Sequence, residues 1–456
     1  MTETKPANTI ARERVDELTL RRGEPDWLRE ARLAAWELYL QTPMPTTRDE
    51  AWRRTEIAAL DLSNLKTLDF GAFGPAPPEL PQWFHSLTSH IEKPSGVLLE
   101  LAMSGGYRQI VEALEKRGVI FTDIATAIER YPEAVKPFLT RESASAGGGK
   151  FTLMTKALFN CGVFLYVPSG MEIAMPFISG IGLGDTVGTA GGAIFPRLVV
   201  VAGAGSRVNL IHVAGSPHSQ GEDNQSMHAD SALVSGLVEI FVGANANVSY
   251  LEVQQFGSNV FSVGRTHAQV GRDAQFTSLA VATGGRQTKS DIATLLNDPG
   301  AANDVLGIVL GTGRENYSFD TIEEHNDHDT RSNINFKVAL KDAASSVYQG
   351  TIKVAKPAQR TNAYQQNKNL LLGADARADS IPRLEILADD VKCSHGATVG
   401  PVDKEQLFYL MSRGLTRMQA EELVVLGFFS QILEQFGQPL ASEWLTEIIS
   451  RKVYGN

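Results

Sequence analysis

Apolar positions recur with two different periods along this chain, and the change of period divides it. Near the start, Trp27, Leu28, Ala31, Ala35 and Leu38 recur at helical spacing, which predicts an amphipathic helix. Pro25 suits its first turn, and Pro43 and Pro45 stop it. A basic edge with a buried indole follows at Trp52-Arg53-Arg54-Thr55. Residues 75–81 read as a linker or rigid turn. Residues from about 95 to 140 mix short apolar runs with a helical segment expected near Gln109 to Lys116. From residue 151 to residue 400 the helical period gives way to short β-rich runs separated by Gly, Asn and Asp turns.

Three of those runs align with one another: AGAGSRVNLIHV from Ala202, VGANANVSYLEV from Val242 and VGRDAQFTSLAV from Val270. Each opens on a small-residue turn at Gly203, Gly243 or Gly271. Each then places apolar residues at matching positions: Val208, Val248 and Phe276; Ile211, Leu251 and Leu279; Val213, Val253 and Val281. Runs from Leu310 and Leu340 are looser copies, slipped by one residue. The intervals are unequal, which disfavours a propeller and suits a parallel β-helix, whose loops leave at the corners at any length. The polar run 215–228 reads as such a loop. A two-sheet sandwich stays open, because alternation alone does not separate the two architectures.

After residue 400 the pattern returns to helix. Asp403 to Gln406 starts one helix, Gly414 breaks it, and Thr416 is the expected N-cap of the next. There Ala420, Leu423, Val424, Gly427, Phe428, Ile432 and Phe436 share one side, and Leu426, Phe429 and Leu433 widen it. That surface exceeds one amphipathic face. It either packs on the β region or docks another subunit. The expected organisation is therefore an N-terminal helical and mixed region over 1–150, a β-helix core over 151–400 and a helical region over 401–456.

Composition narrows the function. Of 456 residues, 43% are hydrophobic and 21% charged, as in soluble globular proteins. No apolar run reaches the roughly 18 residues a membrane span needs, so no membrane is expected. The first residues read as a short disordered lead rather than a signal peptide, and the expected address is the cytoplasm. A formal net charge of −10 argues against nucleic-acid binding. Two cysteines in this length suggest a reducing compartment without a disulfide framework.

The most informative stretch is Asp389-Asp390-Val391-Lys392-Cys393-Ser394-His395-Gly396-Ala397-Thr398-Val399-Gly400. In a strand, residues i and i+2 share a face. Cys393 and His395 would project together as a two-ligand half-site for iron, zinc or an iron–sulfur species. The remaining ligands would come from elsewhere in the chain, a partner or solvent. Cys161, among apolar neighbours, reads as a buried structural thiol. Glu323-Glu324-His325-Asn326-Asp327-His328-Asp329 is dense in ligand types and reads as a solvated turn between strands; His325 and His328 are its candidates for a transient iron-entry site. The run 143–150 lacks the first glycine and the Ser/Thr of a phosphate loop and reads as a flexible connection. Asp389 and Asp390 are adjacent, so in a strand they would point to opposite faces. They make a poor pair for a carbohydrate-active β-helix enzyme, the competing reading.

The segment 391–400, the following Phe408-Tyr409-Leu410-Met411-Ser412-Arg413-Gly414, and Val347-Tyr348-Gln349-Gly350-Thr351-Ile352-Lys353-Val354, Asn369-Leu370-Leu371-Leu372 and Pro382-Arg383-Leu384-Glu385-Ile386 resemble the SufB/SufD family of the SUF iron–sulfur cluster assembly system. Within the family the chain is most similar to its SufD members, and Glu24-Pro25-Asp26-Trp27 and Trp52-Arg53-Arg54-Thr55 extend the likeness to the start. Gly396 stands where SufB-like chains more often have an acidic residue. The resemblance implies a right-handed parallel β-helix between helical ends. It also implies a non-catalytic subunit that pairs with a SufB-like partner through the β-helix and binds a SufC-like ATPase through its C-terminal helices. It implies no permanently bound cofactor, only transient iron or an iron–sulfur cluster. His395 corresponds to the histidine that faces the partner, and Cys393 to the motif cysteine. A SufB-like scaffold is the near alternative, and a homodimer of the isolated chain is left open.

Overall fold

The computed structural model describes residues 12–55, 57, 60, 62, 65–75, 79–141, 149–184, 191–216 and 231–454. The expected disordered lead, most of the run 143–150 and most of the loop 215–228 lie outside them, as does the middle of 75–81.

Strands from Cys161 to Pro401 alternate between two sheets. One sheet holds Cys161–Val167, Pro196–Ala202, Ala232–Val242, Val260–Val270, Gln287–Leu296, Asn316–His325, Ser345–Val354 and Arg377–Ile386, each parallel to the next. The other holds Phe177–Gly182, Arg207–Gly215, Asn247–Gln255, Gln275–Ala282, Ala302–Gly311, Arg331–Leu340, Thr361–Leu371 and Val391–Pro401, also parallel throughout. Apart from the short Gly192–Ile194, which precedes Pro196–Ala202 in the same sheet, consecutive strands fall in opposite sheets, and the chain returns one rung further on. That is a parallel β-helix. It excludes the sandwich, whose sheets are antiparallel.

The aligned repeats are the rungs themselves. Val208 pairs with Val248 and Val248 with Phe276; Ile211, Leu251 and Leu279 are in register, as are Val213, Val253 and Val281. The turn before each rests on close backbone contact. A Cβ on Gly203 would lie 2.5 Å from the Ser169 nitrogen, and one on Gly243 2.8 Å from the Ala202 carbonyl oxygen. The next turn residues stack in the left-handed conformation at Asn245, Asp273, Asp329 and Arg360, tied rung to rung by their backbone N–H groups. The looser copies from Leu310 and Leu340 enter Asn316–His325 and Ser345–Val354 of the first sheet. They turn at the opposite corner, which is why they align with a slip.

Inward residues form a continuous lumen, largely aliphatic at the N-terminal end and mixed with polar groups further on. The outer face of the first sheet packs on the helices Glu13–Arg22, Asp26–Gln41 and Gly149–Leu158 through Trp36, Tyr39, Phe151 and Met154. The outer face of the second sheet packs on Gln82–His90, Arg417–Phe436 and Pro439–Tyr454. Trp52 stacks on Phe151 and is half-buried. Thr416 makes a capping box with Gln419.

Two expectations shift. The helix expected near Gln109 is only Glu112–Glu115, because Gln109 belongs to the strand Gly105–Ile110. In Arg417–Phe436 the buried stripe is Ala420, Val425, Phe429, Ile432, Leu433 and Phe436. Leu423 is exposed, because the side turned to the second sheet is the one that carries Val425, Phe429 and Ile432. The Lys337 ammonium fastens this helix to the β-helix, donating to the Phe428 carbonyl at 2.6 Å and to Gln431 Oε1 at 3.0 Å.

Candidate functional site at the open end of the β-helix

The two ends of the β-helix differ. At the N-terminal end the first sheet is closed by Ile120–Asp123, antiparallel to Cys161–Val167. The second is closed by Gly96–Leu101 and its antiparallel neighbour Gly105–Ile110. At the other end both sheets stop at the last coil, Arg377–Ile386 and Val391–Pro401, with no further strand among the described residues. No residue of either strand is buried. Exposed parallel edges of this length invite pairing with another chain, and exposed Leu387, Ile386 and Val399 add apolar surface there.

Cys393 and His395 lie on that last strand. Cys393 sits over Ala363 of the previous rung and packs against the lumen core, so it faces inward. His395, two residues on, shares that face, lies over Gln365, and is exposed at the open end. Partial burial pushes the Cys393 thiol up, with a hydrogen bond from the Ala363 backbone acting the other way. An incoming soft metal would have to displace its proton. Gly400 and Pro401 end the strand, and the chain passes to the helix Lys404–Ser412, capped by the Asp403 carboxylate. That helix buries none of its residues; Phe408 is 75% exposed and Tyr409 56%.

His325 and His328 have different surroundings. The expected polar turn starts three residues late, at Asn326: Glu323, Glu324 and His325 end the strand Asn316–His325, and His325 is fully buried. Alternation puts it in the lumen beside Glu323, because its rung carries polar groups inward. Its Nδ1 pairs with Thr330 Oγ1 at 2.8 Å and its Nε2 with Ser332 Oγ at 2.9 Å, so both ring nitrogens are engaged. Burial pushes its pKa down to about 4. His328 is in the exposed turn, against Asp329 at 2.7 Å. Arg360 and His328 together hold the Asp329 carboxyl well below the usual carboxylate range. Asp389 and Asp390 occupy the corner before the last strand rather than the strand itself. Cys161 is buried, and burial raises its thiol. Among the described residues no three His, Cys, Asp or Glu side chains converge as a metal-binding group, so Cys393 and His395 remain a pair.

Sequence reasoning missed the floor beneath that pair. Gln365, Asn367 and Asn369 are all buried on the inward face of Thr361–Leu371. Asn369 donates to Asn367 Oδ1 at 2.7 Å and to the Thr398 carbonyl at 3.1 Å, tying the last coil to the one before. Three amides at spacing two, on the side that holds aliphatics in earlier rungs, were the available signal.

The SufBD core domain of SUF-system FeS cluster assembly matches residues 186–428. The chain belongs to this SufBD core family. The matched SufBD core includes the open coil with Cys393 and His395, the helix Lys404–Ser412 and most of the β-helix. The chain is 29% identical to the iron–sulfur cluster assembly protein SufD of Bacillus subtilis, over 94% of this chain and 95% of that one. It is 25% identical to an iron–sulfur cluster assembly SufBD family protein of Staphylococcus epidermidis, over 95% and 90% respectively. A Staphylococcus haemolyticus SufBD family protein is likewise 25% identical, with the same coverage. No helix among the described SufBD residues is long and apolar enough to cross a membrane.

Proposed function

We propose that this chain is the SufD-type, non-catalytic subunit of a cytoplasmic iron–sulfur cluster assembly complex. Its open coil pairs with the β-helix of a SufB-like partner, and Cys393 and His395 give that junction half of a ligand set. The observation that carries this reading is the asymmetry of the β-helix: one end closed by antiparallel strands, the other presenting two edges with a thiol and an imidazole between them. Iron and the nascent cluster are cargo here. Imidazole is a borderline ligand and thiolate a soft one, so a partner thiolate completing the set gives a mixed nitrogen–sulfur site for iron. Gly396, in place of an acidic residue, favours the SufD role over the SufB-like scaffold.

The test is reconstitution with both partners under anaerobic conditions. His395→Ala removes an exposed side chain, so folding should be retained within about 0.5 kcal/mol, while cluster formed per complex should fall by about tenfold or more. Undiminished assembly by the folded variant removes the role.

The C-terminal helices dock the ATPase partner in this reading. Phe408 and Tyr409 supply the aromatic anchors that interfaces favour. Phe408→Asp should weaken capture of the SufC-like subunit by about 2 kcal/mol or more, roughly thirtyfold in Kd, without altering the melt of the isolated chain. Equal affinity in a titration of the two variants would move the docking surface elsewhere. Alone, the chain can place two open coils against each other, and sedimentation of the purified subunit reads that homodimer directly.

A further inference from the structure

We infer that Gln365 is a positioning residue for His395: its side-chain oxygen, without a partner in this structure, is the acceptor to which the exposed imidazole turns its N–H, leaving the other ring nitrogen aimed out of the open end. The inference rests on the proposed role of His395 and adds the residue that orients it.

Gln365 is 1% exposed, and its Oε1 has no hydrogen-bond partner. An unsatisfied buried carbonyl costs on the order of 1–3 kcal/mol, so such groups in native proteins have a partner or a purpose. The orientation of the amide is set by its other end, since Nε2 donates to the Gly350 carbonyl at 3.2 Å across the lumen. The oxygen is therefore the end left over. Glycine at 350 makes the room: a Cβ there would lie 2.6 Å from Gln365 Oε1 and 2.6 Å from the Tyr348 hydroxyl. That hydroxyl is already paired with Thr321 Oγ1 at 2.9 Å.

In the next rung, the residue in register with Gln365 on the inward face is His395. In-register side chains of parallel strands stack about 4.8 Å apart, a span a glutamine oxygen and an imidazole nitrogen bridge. Of the inward neighbours on that strand, Cys393 carries a weak S–H donor and Ala397 and Val399 carry none; His395 carries an N–H. A metal-ligating imidazole takes its tautomer and its direction from the acceptor on its second nitrogen. Gln365 would set both before any partner or metal arrives.

The test uses the metal-free, full-length chain with 15N-labelled histidine, at a pH where the imidazole is neutral. His395 is assigned from the signals lost in His395→Gln. The native chain should show one tautomer, with the other nitrogen unprotonated. Gln365→Leu should show both tautomers exchanging, and Gln365→Glu, which keeps an acceptor, should restore the single form. If the leucine variant does not fold, Gln365→Ser, too short to reach, is read in the same way. In the reconstituted complex Gln365→Leu should slow cluster formation by about tenfold or more. An unchanged tautomer in the folded leucine or serine variant overturns the inference. Loss of assembly in His395→Ala with that unchanged tautomer would leave the role of His395 standing and remove only Gln365. Retained assembly in His395→Ala would remove the role of His395 itself.

Discussion

Trp444→Ala is expected to lower the stability of the chain by about 3–5 kcal/mol, the usual cost of emptying a large buried aromatic site. Trp444 is fully buried in the core that joins the C-terminal helices to the second sheet, among Phe84, Leu87, Ile432 and Ile449. Its indole N–H donates to Ser86 Oγ at 3.0 Å. Alanine removes the packing and the hydrogen bond together. Trp444→Phe keeps most of the packing and should cost far less, about 1 kcal/mol for the lost hydrogen bond. Urea unfolding measures the difference. Hydrogen exchange should locate it in Arg417–Phe436 and Pro439–Tyr454 and not in the central rungs. Uniform exchange, or an unchanged urea midpoint, would mean that these helices are held by other contacts.

Glu323→Gln should stabilise the protein, and increasingly so as pH rises. Glu323 is fully buried in the lumen, where its carboxylate accepts from Asn303 Nδ2. Burial is the largest cause that pushes its pKa from 4.5 up to about 8, with Asp304 and Glu324 adding smaller pushes. The unfolded carboxyl releases its proton near 4.5, whereas the folded one keeps it to about 8. Through that window the native state binds more protons than the unfolded state, so stability is full below pH 4.5. It falls as pH rises and levels off above about 8. At pH 7 the cost is on the order of 3 kcal/mol. Glutamine presents a similar neutral group at every pH, so the two stability curves should nearly meet near pH 4.5 and diverge toward pH 8. Parallel curves would show that Glu323 does not titrate in this way. Glu100, also buried and raised to about 8, shares the direction and keeps part of the slope in the variant.

Much of the architecture was readable because a β-helix repeats its physics. The turn glycines at 203, 243 and 271 and the apolar triplets behind them are local requirements, imposed on each rung by the rung before, so they recur in the sequence in register. The slipped copies from Leu310 and Leu340 were also real, but they belong to the other corner, and nothing local marks which corner a turn serves. The candidate site was half readable. Cys393 and His395 stand two apart in one strand, a relation that alternation alone supplies. Gln365 is thirty residues earlier in the chain and meets them only through rung-to-rung pairing. His325 was misread as part of a turn because its neighbours are polar, whereas burial in a polar part of the lumen, with Thr330 and Ser332 as partners, makes polar residues inward-facing.

The sequence by itself determined the periods, the caps, the family and the strand that carries a thiol and an imidazole. Each depends on residues near one another along the chain. Tertiary structure decided that the sheets are parallel and the lumen continuous. It also decided that one end is closed and the other open, and that a buried amide with an unused oxygen lies under His395. Those facts depend on which rung stacks on which, and beyond the aligned repeats stacking joins residues about thirty positions apart, such as Gln365 and His395, whose identities carry no mark of the pairing.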